Sequence, residues 1–414
     1  MKTICLAGAL AACAIAVAAA PASAESWARS WAASPQAPTP AGGRFPGSPT
    51  FNDQTLRQIV RLSGGGSKVR IRFTNEYGTA PVQIGGAHVA LAGDDGSAIH
   101  PGTDHVLTFA GKTAATIAPG APLLSDPVEM KAAPLSRLAI SLYLPGQVDS
   151  CTCHGTAMQI GYIASGDATG AAELTDAKPL QQRAMISGVD VSGARPAKTI
   201  VAYGDSITDG VGSTSGANRR WPDQLADRLV KRGGAAVDVA NEGISGNRVL
   251  GDGAGVSALA RFDRDVLSTP GLAYVIVFEG INDIGIGYAP KDGPAARFRP
   301  ANAGPPPTAD DLIAADRQLI ARAHERGVKI YGATIAPYEG AVYASPEGDQ
   351  VREAVNHWIR TGHAFDGVLD FDKALRDPDH PARFRDGYHA GDHLHGSDKG
   401  YTAVAKSIDL KLFR

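Results

Sequence analysis

The stretch "IVAYGDSITDG", residues 200–210, indicates the class of fold and raises the question of function. Its apolar half is typical of a buried β-strand, and its glycine-containing half is typical of the turn that follows one. Ser206 lies where the strand gives way to a helix. Serine is a good helix N-cap, so Ser206 taken alone is either a cap or a nucleophile, and the rest of the chain has to decide between them.

Strand and helix patterns alternate from residue 197 onward. Buried-strand runs occur at "KTIVAYGD", "AAVDVANEG", "LAYVIVFEG", "VKIYGATIAP" and "GVLDFD". The clearest helix pattern is "TADDLIAADRQLIARAHERG", which opens with a capping box at Thr308 and Asp311 and stops at Gly327. Five strands separated by helices predict a parallel sheet covered on both faces, in which ligands bind outside the carboxyl ends of the strands.

Residues 55–145 have a different periodicity. Short runs such as "TLRQIVRLS", "SKVRIRFTN" and "LSRLAISLYLP" are separated by Gly, Asp and Pro clusters, and several alternate apolar and polar residues. This pattern predicts antiparallel strands in a β-sandwich or jelly-roll. We therefore expect a β-rich domain at 25–165, a linker at 166–196 and an α/β domain at 197–414.

The first 24 residues have the pattern of a signal peptide. Lys2 precedes an apolar core, and "ASA" at 22–24 is a small-residue cleavage site before Glu25. We expect a secreted or periplasmic protein, with lipoprotein anchoring at Cys13 of "LAAC" as the alternative. No later stretch approaches the roughly 20 apolar residues that a membrane-spanning helix needs.

Composition and charge limit the classes of partner. The chain has 414 residues, 43% of them hydrophobic, and a net charge of −2, which gives no reason to expect nucleic acid or an anionic membrane surface. Cleavage of the signal would leave only Cys151 and Cys153, whose spacing permits a small disulfide ring. A metal site with the adjacent His154 is the alternative, although these three residues are fewer than structural zinc requires.

The other predicted strand ends also carry polar groups. "NEGISGN" places Gly246 where the backbone turns tightly and exposes N–H groups, and "EGIND" presents the Asn282 amide, which can donate two hydrogen bonds. Plain turn chemistry is the alternative for both. After the last strand, Asp392 precedes His395 by three residues, so the carboxylate can hold Nδ1–H and leave Nε2 as a general base. Metal ligation by His389, Asp392, His393 and His395 is the alternative there.

Together these groups form the set that acyl transfer requires. Ser206 would be the nucleophile, His395 the base, and Asp392 the carboxylate that fixes the imidazole tautomer. The oxyanion hole would consist of the N–H groups of Ser206 and Gly246 and the side-chain amide of Asn282. Competing patterns are missing from the sequence, which has no G-x-S-x-G elbow, P-loop, H-E-x-x-H or calcium loop.

These blocks resemble the GDSL, or SGNH, hydrolase family. They occur in family order as "GDS" with Ser206, "GISGN" with Gly246, "GIND" with Asn282, and "DHLH" with Asp392 and His395. One departure is GDSI in place of GDSL, beside the nucleophile. The resemblance implies a flavodoxin-like three-layer α/β/α domain, no metal or organic cofactor, and ester hydrolysis through an acyl-serine.

The substrate is indicated only by flanking stretches. "SITDGVGSTSGANRRWPDQLA" and "GVSALARFDRDVL" resemble an exported bacterial subgroup of acyl esterases and arylesterases. The loop at 285–307 offers Tyr288, Arg297 and Phe298 as substrate contacts, with a plain surface loop as the alternative. The turn after the fourth strand offers Tyr338 and Tyr343.

We expect short-chain acyl esters as substrates, such as acetyl groups on a polysaccharide or aryl esters. Two alternatives remain open. An acyltransferase would use the same serine and pass the acyl group to a sugar hydroxyl, and a non-catalytic carbohydrate-binding protein would use the β-rich half. The sequence does not indicate an oligomeric state.

Overall fold

The computed structural model describes residues 25–42, 47–94, 96–193, 198–233, 237–298 and 304–414. The predicted signal peptide at 1–24, with Cys13, lies outside the described residues. Within the described ranges, no helix combines the length and the apolar character that crossing a membrane requires.

The N-terminal half is built from antiparallel strands. They are β1 Trp27–Ala32, β2 Gln54–Arg61, β3 Gly66–Thr74, β4 Val82–Ile84, β5 Gly86–Leu91, β6 His105–Val106, β7 Ala115–Ile117, β8 Pro122–Leu124, β9 Val128–Ala132, β10 Arg137–Leu144, β11 Cys153–His154, β12 Gly161–Ser165, β13 Lys178–Leu180, β14 Arg183–Ala184 and β15 Ile186–Ser192.

Two larger sheets share one core. The first has the order β1-β15-β3-β8, with β9 also paired to β3, and the second has the order β13-β12-β2-β10-β5-β6. Apolar side chains of both sheets, such as Ile71 and Val189 from the first and Leu56 and Ile140 from the second, belong to a single buried cluster. The predicted β-rich sandwich is therefore confirmed, and two short ribbons, β4–β7 and β11–β14, accompany it.

Residues 166–196, predicted as a linker, contribute strands to this sandwich. β15 pairs with both β1 and β3, and all seven of its residues are buried. Its pairing with β3 shifts register between Ile186 and Gly188, so a bulge interrupts the apolar alternation of "ISGVDVS". That interruption, next to Gly- and Asp-rich turns, concealed the strand in the sequence. The β-rich half therefore extends through Ser192.

The C-terminal half is an α/β unit. Its strands are β16 Thr199–Gly204, β17 Asp238–Gly243, β18 Leu272–Phe278, β19 Lys329–Ala333 and β20 Gly367–Leu369. Its helices are α1 Ser206–Asp209, α2 Trp221–Arg232, α3 Ala258–Phe262, α4 Ile281–Gly287, α5 Ala309–Glu325, α6 Pro346–Thr361, α7 Phe371–Leu375 and α8 Asp398–Ser407. A π-helical turn, Asp263–Leu267, continues α3, and 3₁₀ turns occur at Ala296–Phe298 and Leu410–Leu412.

The sheet is parallel, with the order β17-β16-β18-β19-β20. This is the flavodoxin-like order of a doubly wound sheet, and it confirms the predicted fold class. The helices pack in two groups, α2 and α7 with α8, and α3 and α6 with α5. The order reverses at β16, so the crevice for a ligand lies at the carboxyl ends of β16 and its neighbours β17 and β18.

The β-rich half covers the β17 edge of this sheet. Ser63 Oγ accepts a hydrogen bond from the Val239 N–H at 2.8 Å, and the Arg29 N–H donates to Thr199 Oγ1 at 3.0 Å. Ala32, at the end of β1, belongs to the hydrophobic core of the α/β half. An exposed edge strand invites pairing with other chains, so these contacts both join the halves and protect the edge.

Helix α5 shows how the sequence pattern becomes structure. Thr308 and Asp311 form the predicted capping box, and Gly327, with a φ of +67°, follows the helix end. The buried face contains Leu312, Leu319, Ile320 and Ala323, and also Asp316. Burial, with a smaller contribution from the charge of Asp283, raises the pKa of Asp316 from 3.8 to about 7.

We expect Asp316→Asn to stabilise the protein at pH 8. Because the folded state raises this pKa, it holds the proton more tightly than the unfolded chain does, and stability falls as pH rises from about 4 to about 7. The asparagine removes that loss, so its advantage in Tm should be largest at pH 8 and shrink towards pH 4. Thermal unfolding at both pH values measures it. The exposed Asp310→Asn is the control, with a change within about 0.5 kcal/mol.

Candidate active site

Ser206, His395 and Asp392 form a continuous hydrogen-bonded chain. The Ser206 hydroxyl donates to His395 Nε2 at 2.8 Å, and His395 Nδ1–H donates to Asp392 Oδ2 at 2.6 Å. The other Asp392 oxygen, Oδ1, accepts the backbone N–H groups of Leu394 and His395, each at 3.0 Å. A carboxylate held from two sides fixes the imidazole with Nε2 directed at the serine, which is the geometry of a serine nucleophile and its base.

Asp205, and not Ser206, caps helix α1. The Asp205 side chain accepts a hydrogen bond from the Ile207 N–H at 2.9 Å, whereas Ser206 is the first residue of the helix. Asp205 is therefore the N-cap of α1, and the alternative interpretation of Ser206 as the cap is wrong. Its hydroxyl is left for His395, and its N–H has no acceptor within the helix.

Hydrogen bonds hold the pKa of Asp392 well below its usual value. Burial raises this pKa, but the His395 side chain and the backbone N–H groups of His395 and Leu394 lower it by more. The group is therefore a carboxylate at neutral pH. It can stabilise the imidazolium that forms when His395 takes a proton.

Asn282 is held in one orientation of its amide. Its Nδ2 donates to the Asn247 carbonyl at 2.9 Å, and its Oδ1 accepts the Tyr343 hydroxyl at 3.3 Å. These two partners assign the oxygen and the nitrogen of the amide and leave the second Nδ2 proton for a ligand. The role of Tyr343 in holding Asn282 could not be found from the sequence, because 61 residues separate them.

Gly246 turns the loop after β17. Its φ is +81°, a conformation that favours glycine. Among the residues that the structure describes, no protein group accepts a hydrogen bond from its N–H. Gly246, Asn282 and Ser206 follow three neighbouring strands of the sheet, so the predicted oxyanion donors lie along the same edge.

The comparison with known families agrees with this geometry. The model of the GDSL-like lipase/acylhydrolase family matches residues 202–403, from β16 into α8, and includes all four sequence blocks. This domain belongs to the GDSL-like lipase/acylhydrolase family. The chain matches none of the curated proteins with which it was compared.

Solved structures resemble the chain over the same half. An acetylxylan esterase from Geobacillus stearothermophilus is 23% identical, with 51% of this chain and 91% of that chain covered and a TM-score of 0.36. A lipase/acylhydrolase from Enterococcus faecalis is 20% identical, with 51% of this chain and 92% of that chain covered and a TM-score of 0.37. A lipolytic protein of the G-D-S-L family from Veillonella parvula is 17% identical, with 52% of this chain and 98% of that chain covered and a TM-score of 0.37.

A buried guanidinium joins the strand ends that carry the candidate site. Arg261 on α3 is fully buried. Its partners are Gly204 O and Glu242 O at the ends of β16 and β17, the Asn247 and Ser34 side chains, Asp265, and, at 3.5 Å, Glu279 after β18. Burial raises the pKa of Asp265, but Arg264 and Arg261 lower it by more, so an ionised carboxylate balances the guanidinium.

The candidate substrate residues of the GDSL domain have different surroundings. Tyr338 is 1% exposed and packs against Tyr343 in the core, so it offers no surface to a substrate. The Tyr288 hydroxyl donates to the Pro307 carbonyl at 3.1 Å. Arg297 is exposed, with its guanidinium 4.9 Å from the ring centroid of Phe298, and that ring meets Tyr343 edge-on at 5.8 Å. Arg297 is thus the exposed member of these four residues, and the half-buried ring of Phe298 links it to Tyr343, the partner of Asn282.

The residues weighed as metal ligands have other partners. His389 Nδ1 accepts the N–H groups of Gly391 and His393, and Cys151 and Cys153 form a disulfide. Over the described ranges, no group of three or more His, Cys, Asp and Glu side chains is arranged to hold a metal ion.

We expect Arg261→Met to lower the free energy of unfolding by about 3–5 kcal/mol. Asn247 Oδ1 and the buried carbonyls of Gly204 and Glu242 lose the guanidinium as a donor. Asp265 loses one of its two arginine partners and keeps Arg264. Urea unfolding followed by circular dichroism measures the loss. Arg383→Met is the control, since Arg383 pairs with Glu339 at the surface and should cost no more than about 1 kcal/mol. A loss from Arg261→Met no larger than the control would contradict this account of the strand ends.

Proposed function

We propose that the protein is a serine esterase that hydrolyses short-chain acyl esters through an acyl-Ser206 intermediate. The observation that carries the proposal is the hydrogen-bonded chain from Ser206 through His395 to Asp392, with Asp205 as the helix cap. The family of the domain supports acyl hydrolysis, and the chain of hydrogen bonds supports serine as the nucleophile.

The proposed reaction has two steps. Ser206 Oγ attacks the ester carbonyl while His395 Nε2 takes its proton, and the oxyanion accepts hydrogen bonds from the N–H groups of Ser206 and Gly246 and from Asn282 Nδ2. The C–O bond then breaks, and His395 gives its proton to the leaving alcohol. Water, deprotonated by His395, attacks the acyl-Ser206, and the acid leaves as the proton returns to Ser206.

Access to the site supports small acyl groups. Ser206 and Asn282 are each 6% exposed, so the reacting carbonyl has to reach a recessed nucleophile. The exposed guanidinium of Arg297 and the half-buried ring of Phe298 beside it offer a polar and aromatic surface for the alcohol part of the ester. We therefore propose acyl groups on a polysaccharide, or aryl esters, as substrates. The disulfide and the pattern of residues 1–24 support export.

Hydrolysis of p-nitrophenyl acetate tests this proposal. Ser206→Ala should lower kcat at least about a thousand-fold, because the nucleophile is gone. Ser213→Ala should be near wild type, since Ser213, also buried, donates only to the Gly210 carbonyl at 2.7 Å. EDTA should have no effect. Activity that survives in Ser206→Ala, or that EDTA abolishes, would refute the proposal.

A further inference from the structure

The β-rich half reaches helix α1 through one buried side chain. His154, on β11, lies between the two halves with its side chain 5% exposed, and its partner Asp209 is 3% exposed. The His154 Nε2 to Asp209 Oδ1 distance is 3.0 Å, and its Nδ1 lies 3.0 Å from the Ser34 carbonyl oxygen. Asp209 is the last residue of α1, the helix that begins with Ser206.

Both ring nitrogens of His154 face acceptors. A carbonyl oxygen can only accept, so Nδ1 has to carry a proton, and the Asp209 carboxylate requires a proton on Nε2 as well. The arrangement therefore favours the imidazolium. Burial lowers the pKa of His154, but the charge of Asp209, the hydrogen bonds with Asp209 and Ser34, and the charge of Glu242 raise it above 6.5 on balance.

The second oxygen of Asp209 holds the loop that carries Gly246. Asp209 Oδ2 accepts the Ser245 N–H at 3.0 Å and the Ser245 hydroxyl at 2.6 Å. Thr156, two residues after His154, donates its hydroxyl to Ser245 Oγ at 3.0 Å. Ser245 directly precedes Gly246, so one carboxylate connects the nucleophile helix with the loop of the oxyanion hole.

The segment that carries His154 is itself fixed. The Cys151–Cys153 disulfide closes immediately before it, and Cys153 and His154 pair with Ala184 and Arg183 of β14. The Cys153 carbonyl also accepts the Gln36 N–H at 2.9 Å. The disulfide and these backbone hydrogen bonds therefore hold the strand of the β-rich half that carries His154.

We propose that His154 is a positioning residue for the oxyanion hole. It holds Asp209 in the orientation that accepts both Ser245 donors, and so keeps the Gly246 N–H directed at the site, without contact between His154 and the substrate. This inference rests on the proposed esterase function. It assigns to the β-rich half a part in turnover, although that half supplies no group that reacts.

The test compares His154→Phe with His154→Gln. The phenylalanine cannot donate to Asp209, so kcat for p-nitrophenyl acetate should fall about 10–100-fold with KM little changed, in keeping with the effect of weakening one oxyanion donor. The glutamine amide can donate to Asp209 and should restore most of the loss. Affinity for a boronic acid that forms a tetrahedral adduct with Ser206 should weaken by the same factor as kcat. This affinity does not depend on the fraction of active protein.

His88→Gln is the matched control. His88 belongs to the same half and pairs with a carboxylate through Nδ1, 2.7 Å from Asp104 Oδ2, away from α1. It should leave kcat and the boronic acid affinity unchanged. If His154→Phe does not fold, Asp209→Ala replaces it, because alanine removes the acceptor of His154 and of both Ser245 donors.

The outcomes separate the two proposals. A folded His154→Phe or Asp209→Ala protein with wild-type kcat and wild-type boronic acid affinity would overturn the positioning role and leave the esterase proposal standing. An equal loss in the phenylalanine and glutamine variants would also overturn it. A wild-type protein without esterase activity would refute the proposed function itself.

Discussion

The structure depends on the buried guanidinium of Arg261. Burying a charge fully costs free energy unless the charge is paired and hydrogen-bonded. The folded structure therefore has to keep the partners of Arg261 in position. Those partners include the carbonyls at the ends of β16 and β17, the Asn247 side chain of the loop after β17, and Glu279 after β18. Burial, with the charge of Asp205, raises the pKa of Glu279 well above 4.5 despite Arg261. Arg261 thus connects the ends of the three strands that carry the candidate site.

The contacts of Arg261 extend into the β-rich half. Arg261 reaches Ser34 at 3.1 Å, and Ser34 in turn donates to Glu242 at 2.6 Å. The sandwich also covers the β17 edge and places Ala32 in the α/β core. The halves are therefore joined by buried polar contacts beside the site as well as by apolar packing. Loss of the sandwich should affect the geometry of the site and not only the solubility of the chain.

Local patterns were sufficient to predict the α/β sheet and to select the candidate residues. Buried-strand runs predict the five strands. The rule that ligands bind at the carboxyl ends of parallel strands then selects Ser206, Gly246 and Asn282 as one candidate site. The three-residue spacing of Asp392 and His395 was enough to predict their hydrogen bond, because such a contact forms within one turn of chain. The structure joins Ser206, His395 and Asp392 by hydrogen bonds and joins Asn282 to the Asn247 carbonyl, next to Gly246.

What the sequence could not indicate involves distant partners or broken periodicity. β15 was missed because a bulge interrupts its alternation, and α4 because "GINDIGIG" follows a strand end and is rich in glycine. Tyr338 is predicted as a substrate contact because its turn leaves the fourth strand on the same edge as the other candidates, whereas its ring packs inward against Tyr343. The functions of Arg261 and Tyr343 depend on contacts with residues far away in the chain.

The central claim is that Ser206 carries the acyl group during turnover. Rapid acid quench of the protein with p-nitrophenyl acetate, followed by digestion and peptide mass spectrometry, tests this most directly. The account predicts one acetyl group on the peptide that contains Ser206, formed before steady-state hydrolysis and lost as substrate is exhausted. The claim would be contradicted by an acetyl group that accumulates on another residue at the rate of turnover. It would also be contradicted by hydrolysis without any acyl-protein under conditions in which deacylation is slow enough for one to be detected.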